Sequence, residues 1–392
     1  MSADRNGHAS RWCGVGHSTD DNARVAGRQA AAAALAGADP KLLVVFASER
    51  YDLHELLASI RGTAPDVPLI GCSTAGEIAT SGPGDGGVVV SALGGSGFSI
   101  ATAASTGCSD QLRTAGAEAA ACMNAVAPRE HRTLLMLTDG LAGDQQEIIR
   151  GAYSVVGPTV PLVGGCAGDD LKMSRTFQLH GDEVLENAVV AAAIASEAPM
   201  GIGVRHGWRT LGDPFVVTSS SNARVRTLDD EPALDVYLRH LDAPREAWED
   251  AAAFTSFALT HPLALGSRRD EQEMRFISAA DFEERSIVFV ADVPQGGLVW
   301  LSEGDGQSVL DATDAACGDA VAALGRDPVG VFAFDCIARR GILGDGIKRE
   351  VERVTHHAAG APVAGFYTYG EIARTRGVKG FHNQTLVVLT FA

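Results

Sequence analysis

The sequence predicts an α/β protein: two domains with mixed β-sheets flanked by helices, built on internal strand–helix–strand repeats. Three observations carry this reading. A Pro–apolar–apolar–Gly segment, followed by a second glycine and an acid, occurs three times. Each copy follows a short apolar run and an amphipathic stretch at similar distance, the pattern of a βαβ unit whose strands are covered on both faces. Hydrophobic residues make up 46% and charged residues 21% of the 392, a globular composition in a chain long enough for two cores.

Taken in order, residues 1–20 read as a loose polar tail. Residues 20–37 are alanine-rich with few breakers and read as a first helix, with Thr19 or Asp20 placed to cap it. The first unit has an apolar run at 42–47, a helical stretch at 51–61 and the segment VPLIGCSTAGEI at 67–78. Strand signals follow at 87–93 and 98–103. The second unit has a run at 134–137, a helix at 143–156 and the shorter segment VPLVGGCAGD at 160–169. Further strands are expected at 175–180, 188–196 and 201–206, spaced like hairpins with Gly, Ser and Asp between them. That spacing favours mixed sheets over a purely parallel, doubly wound one.

The texture changes at 222–246, which is charged and reads as helical with Leu234, Leu238 and Leu241 on one face. We place the domain boundary within 226–231, giving a tail at 1–20, a first domain at 21–228 and a second at 229–392. The third unit closes that second domain. It has a run at 331–334, a helix at 346–357 carrying Ile347, Val351 and Val354, the segment APVAGFYTYGEI at 361–372, and a last strand at 385–392.

Charge excludes several classes of function. The net charge is −17. A field of that sign repels nucleic acid and anionic membranes, and no run of five Lys or Arg offsets it. The seven cysteines are odd in number and contain no CxxC pair, so a zinc ribbon and a thioredoxin motif are both ruled out. The first 18 residues lack a signal-peptide core, and the longest wholly apolar stretch, 188–195, is too short to span a bilayer. A reduced, cytoplasmic protein without membrane or nucleic-acid partners is expected, with self-association into a homo-oligomer left open.

Each candidate motif has a structural and a functional reading. The three Gly–acid turns either present backbone N–H groups and an acid to a ligand, or end strands and cap neighbouring turns. Glu371 is the strongest functional candidate among them, because Tyr367, Tyr369, His382 and Asn383 lie near it in sequence. The glycine-rich 81–87 opens onto a strand instead of a helix, so it reads as a turn and not a phosphate loop. Cys336 and Arg339 follow the 331–334 strand, where ligands often meet α/β sheets, and arginines would lower a thiol pKa. A buried bystander cysteine is the competing reading. Cys72 or Cys336 with His382 would be the pair a cysteine hydrolase needs, but HExxH, GxSxG and Walker A sequences are all missing, and no enzyme activity is expected. Among the histidines, His261 stands in an apolar stretch before Pro262, and His240 flanks the helix of Leu234, Tyr237 and Leu238.

Residues 42–77, with GFYTYGEI at 365–372 and FHNQT at 381–385, resemble the two halves of FIST proteins. That family pairs a FIST N-terminal with a FIST C-terminal domain as a sensory module in signal transduction. The stretch FDCIARR at 334–340 is similar to the bacterial haem-binding, nitric-oxide-responsive NosP-type subgroup. The resemblance implies haem as cofactor, nitric oxide as ligand, and a separate histidine kinase or cyclic-di-GMP enzyme as signalling partner. It implies an axial metal ligand, for which we take His240 first and His261 second. The expected ligand-binding residues are Tyr367, Tyr369, Glu371, His382, Asn383, Cys336 and Arg339. A non-haem small molecule such as an amino acid is the alternative ligand, and a cysteine-dependent hydrolase the second alternative.

Overall fold

A computed structural model describes residues 10–266, 273–375 and 380–392. Within it the chain runs three times through one pattern: strand, helix, strand, helix, strand, short hairpin, last strand. The first pass is β1 (Trp12–Ser18), α1 (Ala23–Ala34), β2 (Pro40–Ala47), α2 (Leu53–Thr63), β3 (Leu69–Ser73), the hairpin β4 (Glu77–Ala79) and β5 (Gly82–Gly84), and β6 (Val88–Gly94). The second is β7 (Phe98–Thr106), α3 (Leu112–Ala120), β8 (His131–Thr138), α4 (Gln145–Val156), β9 (Leu162–Cys166), β10 (Gln178–His180), β11 (Glu183–Leu185) and β12 (Ala188–Ser196).

The third pass opens with β13 (Met200–Arg205) and is then interrupted by an inserted module. The module holds β14 (Arg209–Ser221), β15 (Arg224–Leu228), β16 (Glu231–Pro232), α5 (Ala233–His240), α6 (Ala251–Leu259), β17 (Leu263–Leu265), β18 (Glu273–Arg275), β19 (Ile277–Asp281), β20 (Ser286–Phe289) and β21 (Leu298–Glu303). The pass resumes with α7 (Gly306–Ala322), β22 (Gly330–Cys336), α8 (Ile337–Leu343), α9 (Ile347–His357), β23 (Val363–Thr368), β24 (Glu371–Arg374), β25 (Phe381–His382) and β26 (Leu386–Phe391).

Each pass builds one six-stranded sheet, and each sheet is completed by the hairpin of another pass. The orders are β1-β6-β2-β3-β10-β11, β7-β12-β8-β9-β24-β25 and β13-β26-β22-β23-β4-β5. The second and third strands of every pass pair in parallel, with α2, α4 or α8–α9 as the crossover. The exchange of hairpins is cyclic. The first repeat lends its hairpin to the third sheet, the second to the first, and the third to the second. The FIST-like halves are therefore interleaved, because β4 and β5 belong by pairing to the C-terminal sheet.

One core lies between the three sheets, drawing Phe46, Leu135, Leu137, Phe332, Phe334 and Phe366 from all of them. Phe46 stacks on Phe366 at 4.8 Å between ring centroids. Three outer cores fill the spaces between each sheet and its own helices. Strands covered on both faces need continuous apolar runs, and that is why the 42–47, 134–137 and 331–334 runs do not alternate.

The repeated Pro–x–x–Gly has a packing cause. Gly71, Gly164 and Gly365 each stand third in the third strand, opposite Val45, Met136 and Ala333. A Cβ would lie 2.5 Å from the Val45 carbonyl oxygen and 1.9 Å from those of Met136 and Ala333. Only hydrogen fits.

Four expectations change. Residues 12–18, read as part of the polar tail, form β1, paired with β6 from Trp12–Gly94 to Ser18–Val88. The strand looked polar because its helix-facing positions are Gly14 and Gly16, whose Cβ atoms would meet the Ala34 and Ala30 carbonyls of α1. Residues 1–9 of that tail lie outside the described residues. Neither Thr19 nor Asp20 caps α1: Val25 N–H donates to Asn22 Oδ1 at 3.1 Å. In 222–246 only α5 and a 3₁₀ turn, Arg245–Trp248, are helical. Its first part is strand, because Val225 and Leu228 are buried and Asp229 and Asp230 take positive φ to turn the chain. The 81–87 turn contains the short strand β5. By strand pairing the third repeat begins at Met200.

Candidate functional site

The Gly–acid turns follow the parallel strands and interlock around the shared core. Ala75 N–H donates to the Tyr367 carbonyl, Tyr369 N–H to that of Cys166, and Gly168 N–H to that of Ser73, each at 3.1 Å. Each turn thus rests on the strand end of the next repeat. Gly76 and Gly370 have φ of +112° and +154°, where an L side chain is strained.

The first and third acids serve the same structural purpose. Thr74 Oγ1 donates to Glu77 Oε1 at 2.6 Å and Gly87 N–H to Oε2 at 2.8 Å. Thr368 Oγ1 donates to Glu371 Oε1 at 2.5 Å and Thr385 N–H to Oε2 at 3.1 Å. Gly87 and Thr385 each immediately precede a last strand, so the acid ties its turn to the strand that closes the repeat. Asp169 departs from this pattern. It accepts from the backbone of Met173, Ser174 and Arg175, and from the Tyr369 hydroxyl, folding the 169–175 loop around itself.

Burial pushes Glu77 up to about 7 and Glu371 up to about 8, against the hydrogen bonds each accepts. A carboxyl raised in the folded state holds its proton where the unfolded chain has lost it, so folding stability falls as pH rises from the ordinary carboxyl value of 4.5 through these values. We expect the Tm to decline between pH 5 and 8, and Glu371→Gln to flatten that decline. Parallel slopes for wild type and variant in thermal melts across this range would refute the assignment.

Arg339, expected to bind ligand, is instead sealed inside the third repeat with 0% exposure. Its Nε lies 2.9 Å from Asp335 Oδ1, and its other nitrogens reach Glu350, the Thr313 hydroxyl and the carbonyls of His206 and Val309. Tyr367, also expected at the ligand, is fully buried, with the Arg340 guanidinium 4.9 Å over its ring. Glu371 and His382 likewise point into structure: His382 Nε2 contacts the Ala373 carbonyl at 3.0 Å.

Cys336, Tyr369 and Asn383 do meet, at a cavity of about 560 Å³. Its walls come from the β8–α4 loop (Leu141, Asp144), the start of α8 (Ile337, Ala338) and the inserted module (Leu259, Phe276, Val290, Asp292). Leu171 and Met173 add a lip; they are 61% and 57% exposed and both have positive φ. Strain of that kind costs about 1–3 kcal/mol per residue and gathers at ligand clamps. Asn383 is 1% exposed, and its Oδ1 has no hydrogen-bond partner among the described residues. Volume, apolar walls and a few polar groups are those of a small-molecule site.

The contribution of the inserted module was missed in the sequence, because its short strands carry no motif. Asp144 had a signal: a strand, the loop Asp139-Gly140-Leu141-Ala142-Gly143, then an N-cap, where its Oδ1 accepts from Gln146 N–H at 2.9 Å.

Neither histidine chosen as an axial ligand lines this cavity. His240 is exposed at the end of α5, its Nδ1 2.9 Å from the Val236 carbonyl and its ring against Phe215. His261 stacks on Phe257 at 4.1 Å, with Nδ1 2.8 Å from the Phe257 carbonyl. Both are held by their own helices, α5 and α6. No cluster of three His, Cys, Asp or Glu able to hold a metal occurs among the described residues. The residues at the cavity do not fit a histidine-ligated haem.

All seven cysteines are buried. Burial pushes Cys13, Cys108 and Cys317 up to about 12 and Cys122 to about 11, and lifts Cys72, Cys166 and Cys336 above the ordinary thiol range. The thiol of Cys336 interacts with Glu371. Ellman's reagent is therefore expected to label no thiol in the native protein at neutral pH and all seven after denaturation. A rapidly labelled native Cys336 would restore the nucleophile reading.

A repeat-built α/β scaffold with a cavity of ligand size between its body and an inserted module has the form of a small-molecule-binding protein. The chain belongs to the FIST family: the FIST N domain matches residues 41–231 and the FIST C domain residues 233–374, the domains of a sensory, signal-transducing module. It is similar to an uncharacterized protein of Mycobacterium tuberculosis strain H37Rv, 26% identical over 96% of this chain and 99% of that one. An uncharacterized protein of Methanocaldococcus jannaschii is 25% identical over 38% of this chain and 30% of that one. The crystal structure of cyanuric acid hydrolase from A. caulinodans aligns with a TM-score of 0.28 and 12% identity over 51% of this chain and 73% of that one, a likeness too weak to bear on fold or chemistry. No helix among the described residues is long and apolar enough to cross a membrane.

Proposed function

We propose that the protein is a sensor whose small-molecule ligand enters the cavity between the repeat body and the inserted module. The observation that carries this is the composition of the walls: both FIST domains contribute, and the buried Asn383 oxygen has no partner among the described residues. A ligand bridging the two parts favours whichever arrangement closes on it, which is the differential affinity a sensor needs. The signal then passes to a separate protein, with a histidine kinase or a cyclic-di-GMP enzyme as the partner class implied by the family resemblance. A non-haem ligand is favoured over haem-based nitric oxide sensing, because His240 and His261 are both engaged away from the cavity.

Two measurements on the purified protein test this. A metabolite screen by thermal shift is expected to find a stabilising compound, worth about 2.7 kcal/mol at a hundredfold excess over Kd. Blocking the cavity with Ala291→Trp should abolish its effect. A haemin titration is expected to give no Soret shift dependent on His240 or His261. A stoichiometric shift lost on replacing either histidine would overturn the non-haem reading.

A further inference from the structure

We infer that the cavity takes a small neutral molecule with an amide edge, a primary carboxamide or a lactam on an apolar body, paired head to head with the Asn383 side chain. This rests on the sensor reading above and adds the chemical class of its ligand. Asn383 lines the cavity with 1% of its surface exposed, and its Oδ1 has no hydrogen-bond partner among the described residues. A buried amide left unpaired is destabilising, so one standing in a cavity wall calls for a guest that pairs with it.

Three other polar side chains in the wall are already held. Gln145, also an amide, donates to the Asp139 carbonyl at 2.8 Å, and its oxygen accepts from Thr138 at 2.8 Å. The Tyr369 hydroxyl gives its single proton to Asp169 and accepts from Leu171 N–H at 2.7 Å. The Cys336 thiol is engaged with Glu371. Asn383 differs. Its backbone carbonyl accepts from the Thr385 hydroxyl at 2.8 Å, which fixes the main chain, whereas no described residue holds the amide oxygen. The terminal torsion of an asparagine is soft, so the oxygen and the nitrogen can both turn to the cavity. A second amide edge satisfies the two together, through a pair of parallel N–H···O bonds. A carboxylate would set an oxygen against Oδ1, and an ammonium would leave Nδ2 without an acceptor. Charge favours neither ion: the Asp144 and Asp292 carboxylates repel an anion, and the first-turn N–H groups at the starts of α4 and α8 repel a cation. Leu141, Leu259, Phe276, Val290 and Ile337 provide walls for a ring or hydrocarbon.

Isothermal titration calorimetry of the full chain with a matched series tests the inference: benzamide, acetophenone, benzoate and benzylamine at one ionic strength. Acetophenone keeps the ring and the carbonyl but has no N–H to donate. Benzamide is expected to bind at least tenfold tighter than each of the other three, because a site built to hydrogen-bond a group rejects analogues that lack it. Asn383→Leu, close to asparagine in shape but without its polar atoms, should bring benzamide down to the level of acetophenone. The ligand-free variant should melt no lower than wild type, since it loses a buried group that has no partner. A variant that melts far lower, or does not fold, would show an amide paired inside the protein and overturn the assignment. The ranking in the wild-type protein is a test independent of the variant. If benzoate, benzylamine or acetophenone binds as tightly as benzamide, and Ala291→Trp abolishes that binding, the amide assignment falls while the sensor cavity stands. If no member binds, or if binding survives Ala291→Trp, the amide assignment falls and the metabolite screen decides the sensor reading.

Discussion

Replacing Arg339 with methionine is expected to cost about 3–5 kcal/mol of unfolding free energy, the range for breaking a buried ion pair from one side. The arginine and Asp335 are 0% and 1% exposed in their side chains, and Glu350 is 2% exposed. Methionine matches the aliphatic stem and removes the guanidinium, leaving two acids facing each other without water. Next to them the Tyr367 hydroxyl and Glu350 Oε2 have no partner among the described residues, so the cluster is already short of hydrogen bonds. Asp335 is held well above the usual carboxylate range, by burial first and by Glu350 second, with Arg339 opposing. Without the arginine, Asp335 must be protonated to stay inside, so the loss should be smaller at pH 5 than at pH 8. Chemical denaturation of Arg339→Met at both values checks this. If the single variant does not fold, the combination Asp335→Asn, Arg339→Met and Glu350→Gln should recover a folded protein, because it removes every charge together. A single variant within about 1 kcal/mol of wild type would show that the triad is solvated, contrary to its burial.

The same cluster shows where the sequence was legible and where it was not. Strand–helix–strand periodicity and the threefold Pro–x–x–Gly were readable, because they come from local patterns repeated along the chain. Which partner each hairpin joins was not readable. The pairing of β4 with β23 or β24 with β9 is set by contacts hundreds of residues apart, and short strands of three or four residues carry little register information. Arg339 beside Cys336 looked like a ligand site because charge after a strand often is one. Its acids at 335 and 350 sit one turn away and on the next helix, and only the fold shows that all three turn inward. Cys336 was identified for its position after a strand, and Tyr369 and Asn383 for their nearness to Glu371 in sequence; these three of the expected ligand-binding residues line the cavity. The histidines stand away from the cavity for a physical reason: an imidazole next to its own helix carbonyl, as in His240 and His261, satisfies its Nδ1 locally.

Gly365→Ala tests the geometry on which the repeat depends. Strands β22 and β23 run in parallel with Ala333 opposite Gly365, and the added methyl would lie 1.9 Å from the Ala333 carbonyl oxygen and 2.8 Å from its carbon. Both neighbours are backbone in a strand buried on each face, so neither can rotate away as a side chain would. Relief requires the two strands to separate, which would weaken the ladder and disturb Phe332, Phe334 and Phe366 behind it. Overpacking of this kind costs about 3 kcal/mol where the surroundings cannot yield. Gly164→Ala should cost no less, because the clash with Met136 is as close and its φ of +146° is itself unfavourable for alanine. Gly318 in α7 is the control. A Cβ there meets nothing within 4 Å. Alanine should stabilise that helix by up to about 1 kcal/mol through backbone entropy and propensity. Urea midpoints at constant m-value separate the cases: Gly365→Ala and Gly164→Ala far below wild type, Gly318→Ala at or above it. If Gly365→Ala unfolds with the wild-type midpoint, the parallel pair is not as close as the repeated glycine requires, and the threefold architecture loses its explanation.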